Sequence, residues 1–182
     1  MSFRKPLSAA CAIAITIGLA ACGGSSSSGP SPAAYVKSIC NAIGPFEKTV
    51  QQRSSALNLS NIKSAADGKT ALKTFLTQVA SDTDQAVAKL KAAGIPDVSN
   101  GKQVSAAIVG AFTQLKSALD KAASQAGSLP TASPQAFQTA AQALGSSVQS
   151  SMSGIGGSLS NLKSPDLEAA AKKEPACQSL GS

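Results

Sequence analysis

From residue 32 onward, apolar side chains recur at three- and four-residue steps, and glycine and proline break the pattern at only a few points. Tyr35, Ile39, Ile43, Phe46 and Val50 share one face of a helix predicted from Pro32 to about Leu57. Gly44-Pro45 falls inside it and predicts a kink or a break, because proline lacks the N–H of the helical bond and its ring crowds the preceding turn. A second stripe (Ile62, Ala65, Leu72, Phe75, Leu76, Val79, Val87 and Leu90) predicts a helix from about Asn61 to Ala93, capped by Ser60 and stopped by Gly94 and Pro96. Val104, Ile108, Ala111, Phe112, Leu115, Leu119 and Ala122 mark a third over roughly Gly101 to Gln125. The fourth runs from Pro134 to about Leu162 through Phe137, Ala141, Leu144, Val148, Met152, Ile155 and Leu159.

Three Ser-Pro pairs, at 31–32, 133–134 and 164–165, punctuate this pattern. Serine caps the orphan amides of a helix start, and proline is pre-set for the first helical position, so each pair predicts a helix N-terminus. The last opens a short fifth helix, Pro165 to Lys173, ahead of Glu174-Pro175. No segment alternates with the period of two that a half-buried strand requires. The predicted fold is all-α: an up-down-up-down four-helix bundle with a short fifth C-terminal helix.

The first 21 residues follow a different pattern. Arg4 and Lys5 precede an apolar run from Leu7 to Leu19, and Ala20 and Ala21 then lead to Cys22. The run is shorter than the about 20 apolar residues a spanning helix needs. Leu19-Ala20-Ala21-Cys22 resembles the lipobox of bacterial lipoproteins. The resemblance implies that Cys22 carries a diacylglyceryl group on sulfur and becomes the mature N-terminus after residues 1–21 are removed as a signal peptide. An ordinary secretory signal would instead leave Cys22 a plain thiol. Stable anchoring takes at least two acyl chains, and a diacylglyceryl thioether supplies two. Residues 22–30 then form a Gly/Ser-rich tether with a reach of roughly 15–18 Å, and 31–182 the helical domain.

The expected address changes the meaning of the cysteines. Cys11 leaves with the signal and Cys22 is lipidated, so Cys40 and Cys177 remain and are expected to pair in an oxidising compartment. In an up-down-up-down bundle the end of helix four lies near the start of helix one, which brings Cys177 back toward Cys40. Beyond the lipobox, LAACGGSSSS, AYVKSICNAIGPFEKTV and the late ACQSL are similar to small actinobacterial lipoproteins with alanine-rich helical domains. That resemblance implies no site residue besides Cys22.

Charge and chemistry narrow the function by exclusion. Loss of Arg4 and Lys5 leaves 14 basic against nine acidic side chains, scattered along the helices, and the chain has one Tyr, five Phe and no Trp. A nucleic-acid binder needs a dense basic stripe with aromatic platforms, so no nucleic-acid partner is expected. The lysines read as a solvated face, the alternative being a weak attraction to anionic headgroups or acidic envelope polymers. Without histidine the chain lacks the commonest general base and metal ligand. Asp82 and Asp84, the closest acidic pair, point to different sides of a helix. No catalytic residue, metal site or cofactor is expected, and the chain does not read as an enzyme.

One stretch departs from a generic bundle. Between Lys121 and Lys163 lie 41 residues without a charge, and SMSGIGGSLS places Gly154, Gly156 and Gly157 inside the fourth predicted helix. Each glycine costs a helix interior about 1 kcal/mol relative to alanine. Small residues there either let helix four approach its neighbours or form a contact surface, with Met152, Gly154, Ile155, Gly156 and Gly157 as the candidates. Two readings follow. The chain is an extracytoplasmic interaction or scaffold module, held to the membrane by Cys22 and facing an envelope protein. Alternatively, it is a binding lipoprotein that holds an apolar or lipid-like small molecule between its helices, with a void expected beside helix four.

Overall fold

Serine and proline set the helix starts as the sequence predicts. The computed structural model describes residues 29–57, 62–160 and 162–180, apart from the side chains of 155–160. The expected signal peptide, Cys22 and the tether up to residue 28 lie outside these residues, as do Ser60 and Asn61. The described elements are α1 (Pro32–Ala56), α2 (Ala65–Ala92), α3 (Gly101–Gly127), α4 (Pro134–Ser160), α5 (Pro165–Ala171) and α6 (Pro175–Gln178). The hydroxyl of Ser31 accepts from the Ala34 amide at 3.3 Å, and that of Ser133 from Ala136 at 3.2 Å. Ser164 holds the third start through its carbonyl, which accepts from the Glu168 amide at 2.9 Å.

Three boundaries differ from the sequence reading, each for a local reason. α2 begins at Ala65, not near Asn61, because Ser64 is its cap. The Ser64 hydroxyl accepts from the Asp67 amide at 3.1 Å and donates to the Asp67 carboxylate at 2.8 Å, a reciprocal box that closes the first turn. α1 runs through Gly44-Pro45 without a break. Pro45 and Asn41, whose carbonyl loses its helical donor, both stand on the exposed side of the helix, where water can serve instead. Glu174-Pro175 opens a further helix rather than only ending α5. The Glu174 carboxylate accepts from the Ala176 amide at 3.2 Å and caps α6.

Two hydrogen bonds set the order of the helix ends. The Asp97 amide donates to the Pro30 carbonyl at 2.9 Å, joining the start of α1 to the α2–α3 link. The Asn100 side chain donates to the Lys163 carbonyl at 2.9 Å, joining the α4–α5 link to the start of α3. The bundle is therefore all-α and up-down-up-down, with one end carrying the entry of the chain. Gly94, at φ +78°, ends α2 in the left-handed conformation that a side chain resists.

The apolar stripes converge on two clusters. At the entry end, Tyr35, Val36, Ile39 and Cys40 of α1 pack with Leu90, Val104 and Leu167. At the far end, Leu76, Val79 and Ala80 of α2 pack with Leu119, Ala122 and Ala126 of α3 and Leu144 of α4. α2 and α3 serve both clusters. α4 contributes its buried residue to the far cluster only, and α5 contributes its own to the entry cluster only. Phe137 seats the start of α4: a Cβ at Gly68 would fall 2.7 Å from its ring. Phe46 and Phe112 join α1 to α3 edge to face, with centroids 5.7 Å apart. Cys40 and Cys177 form the expected disulfide, Sγ–Sγ 2.01 Å and Cα–Cα 5.1 Å, which fastens α6 to α1.

Candidate functional site

Of the residues singled out on α4, Met152 and Gly154 are exposed to solvent. Met152 is 52% exposed, and Ile95 at 46% is the other large apolar side chain exposed to that degree among the described residues. A Cβ at Gly145 or Gly154 would lie in open space, so neither glycine is there to let a neighbouring helix come close. Ile155, Gly156 and Gly157 continue the helix, with side chains outside the described set. The stripe is buried at Leu144, half-buried at Phe137, Ala141 and Val148, and exposed at Met152.

An apolar opening lies between α1, α3 and α5. It is a cleft of about 350 Å³, open to the surface. Tyr35, Val36, Ile39 and Ile43 line it from α1, Val104 and Ile108 from α3, and Leu167 and Ala171 from α5, with Leu162 at the α4–α5 link. The spacing is helical on every wall, so each helix presents one face to it. α5 is pinned at its start through Lys163 and Ser164 and beyond its end by the disulfide. It inserts Leu167 into the entry cluster and then offers only alanines, 169–171. Small side chains facing Ile43 and Ile108 leave the space unfilled.

Polar groups at the cleft are few. Glu168 is the one charged side chain on its lining, and Ser164 is buried beside it. The Tyr35 hydroxyl is fully buried and makes no hydrogen bond. Ser105 neighbours it, but the Ser105 hydroxyl donates to the Gly94 carbonyl at 2.8 Å. Burial pushes the Tyr35 phenol above its ordinary pKa, with the Ser105 hydroxyl partly opposing the shift. The wall is thus almost wholly apolar, and its size falls at the low end of the range of about 300–1,000 Å³ for small-molecule sites.

The most ordered polar cluster is structural. Arg53 of α1 grips Asp82 of α2 through Nε and Nη2, the latter donating to Oδ1 at 3.1 Å, and Nη1 donates to Gln78 at 2.9 Å. The hydrogen bond to Asp82 raises the Arg53 pKa further above its ordinary value, against the opposing effect of burial. This fork ties the second half of α1, which carries few buried residues, to α2. Among the described residues no three His, Cys, Asp or Glu side chains gather as a metal-ligand set. Among the same residues no helix is long and apolar enough to cross a membrane.

Comparison with protein-family models, with curated proteins and with solved structures gave no match. The cleft had a faint signature in the sequence. Leu167-Glu168 followed by three alanines, on a helix tied back by Cys177, marks a wall with one apolar anchor and little bulk beyond it.

Proposed function

We propose that the chain is an extracytoplasmic lipoprotein, anchored through Cys22, whose bundle binds an apolar or lipid-like ligand in the α1/α3/α5 cleft. It acts by binding and not by catalysis. The cleft carries the reading: about 350 Å³ walled by aliphatic side chains, with a single carboxylate, Glu168, on the lining. An apolar body would replace water against Ile39, Ile43, Ile108 and Leu167, at about 25 cal/mol per Å² of apolar surface covered. A hydroxyl or amine head could donate to Glu168 or Ser164. A further apolar pocket, of about 370 Å³, lies beside the first half of α4, lined by Leu57, Ile62, Leu72, Phe137 and Ala141.

A second reading, the interaction module facing an envelope protein, draws on the exposed Met152 and on the 41 uncharged residues between Lys121 and Lys163. Native mass spectrometry of the protein extracted from membranes separates the two. A co-purifying lipid that is lost in Ala171→Leu supports the cleft. A co-purifying protein that is lost in Met152→Lys supports α4. A mature chain without added mass on Cys22 overturns the anchor.

A further inference from the structure

We propose that the end of the bundle where the chain enters is itself a docking surface for an anionic bilayer, separate from the lipid on Cys22. Three observations meet there. Ile95, in the α2–α3 link, is 46% exposed at the tip of this end. Four exposed lysines stand around it: Lys89 and Lys91 in the last turn of α2, Lys102 in the first turn of α3, and Lys163, whose carbonyl is held by Asn100. Among the described residues none of the four is in an ion pair. Asp97, Asp166 and Glu168 are the exposed acids of the same end, so the four lysines leave a small positive balance.

The third observation fixes the direction. Pro30 accepts the Asp97 amide at 2.9 Å, and Gly29 lies so close to the Ile95 carbonyl that a Cβ there would collide with it. The described chain therefore begins beside Ile95, six residues (23–28) after Cys22. A Gly/Ser-rich stretch of six residues spans about 12–15 Å, so a chain anchored at Cys22 would hold this end next to the headgroups. An aliphatic side chain ringed by lysines suits that boundary: the apolar group enters the acyl edge while the ammonium groups meet anionic phosphates. The orientation rests on the lipid anchor, whereas the surface itself is a property of the folded domain.

The test uses the mature chain from residue 22 with Cys22→Ser, which keeps both core clusters and the disulfide but carries no lipid. Co-sedimentation is measured with vesicles of equal parts phosphatidylglycerol and phosphatidylcholine, and with pure phosphatidylcholine. The expected result is binding on the order of tenfold tighter to the anionic vesicles, weakening as salt is raised. Lys89→Gln with Lys91→Gln and Lys102→Gln should abolish that preference, and Ile95→Ser should weaken binding at every salt concentration. Lys69→Gln with Lys73→Gln, at the far end, should leave it unchanged. Equal binding to both vesicles, or equal loss in the far-end variant, overturns the proposal. Mass analysis of Cys22 in the exported full chain is scored separately, so failure of the anchor and failure of the surface are distinguishable.

Discussion

Breaking the Cys40–Cys177 bridge should weaken the whole domain and open the cleft in the same step. The bridge closes a loop with a sequence separation of 137 residues. In the chain-entropy model a loop of that length restricts the unfolded state by about 5 kcal/mol at 25 °C. Typical domains have about 5–15 kcal/mol in total, so the loss is a large share. With a urea m-value of about 2 kcal/mol/M, the unfolding midpoint should fall by roughly 2–3 M. The local effect follows from helix length. α5 has seven residues and α6 four, too short to persist without tertiary support. Cys40→Ala with Cys177→Ala should therefore release Leu167 and the alanine wall, and any cleft ligand with them. The assay is urea unfolding followed by circular dichroism, with lipid retention measured by mass spectrometry on the same samples. An unchanged midpoint in the double variant would refute the loop-entropy argument. Retained ligand would refute the role of α5 as a wall.

Other consequences can be checked one residue at a time. Ala171→Leu should fill the cleft opposite Ile43 and Ile108, holding or raising thermal stability while ligand capture is lost; a parallel fall in stability would show that no space existed. Gly145→Ala and Gly154→Ala should each stabilise the protein by about 1 kcal/mol in urea unfolding, because the added methyl groups meet open space. Leu90, with no exposed surface, sits in the entry cluster, and Leu90→Ala should cost about 2–5 kcal/mol. Tyr35 should impose an alkaline limit. Its folded pKa lies above the unfolded value of 10.0, so its contribution is complete below pH 10 and is lost as pH rises through the folded pKa. Tyr35→Phe should flatten that decline and, by removing an unpartnered buried hydroxyl, raise stability near neutral pH by up to about 1 kcal/mol.

The helices were legible because their punctuation is chemical. Ser-Pro pairs and Gly-x-Pro stops act through one or two residues whose backbone preferences are strong, and period-3.6 stripes add up over many residues. Where two serines offer a cap, local sequence does not choose between them: α2 starts after Ser64 and not at the expected Ser60, because Asp67 closes the box on Ser64. The interruption at Pro45 was overestimated because the cost of a proline depends on which side of the helix it faces, and that is a tertiary fact. The stripe through Met152 was real in sequence, but periodicity does not say whether a partner helix extends that far. The cleft was the least legible feature. It depends on Ala171 standing across from Ile43 and Ile108, residues of three different helices brought together by Asn100, Leu167 and the disulfide.

The placement of the two bridged cysteines also orders events in time. One lies in the third turn of the first helix and the other follows the fifth, so the ribosome must have passed residue 177 before the covalent link can form. α1 to α4 can collapse on their own stripes during synthesis, but the third wall of the cleft arrives last and is sealed last. A nascent or truncated chain would thus have a nearly complete bundle and no binding site. Capacity to bind would report that synthesis and oxidation had both been completed.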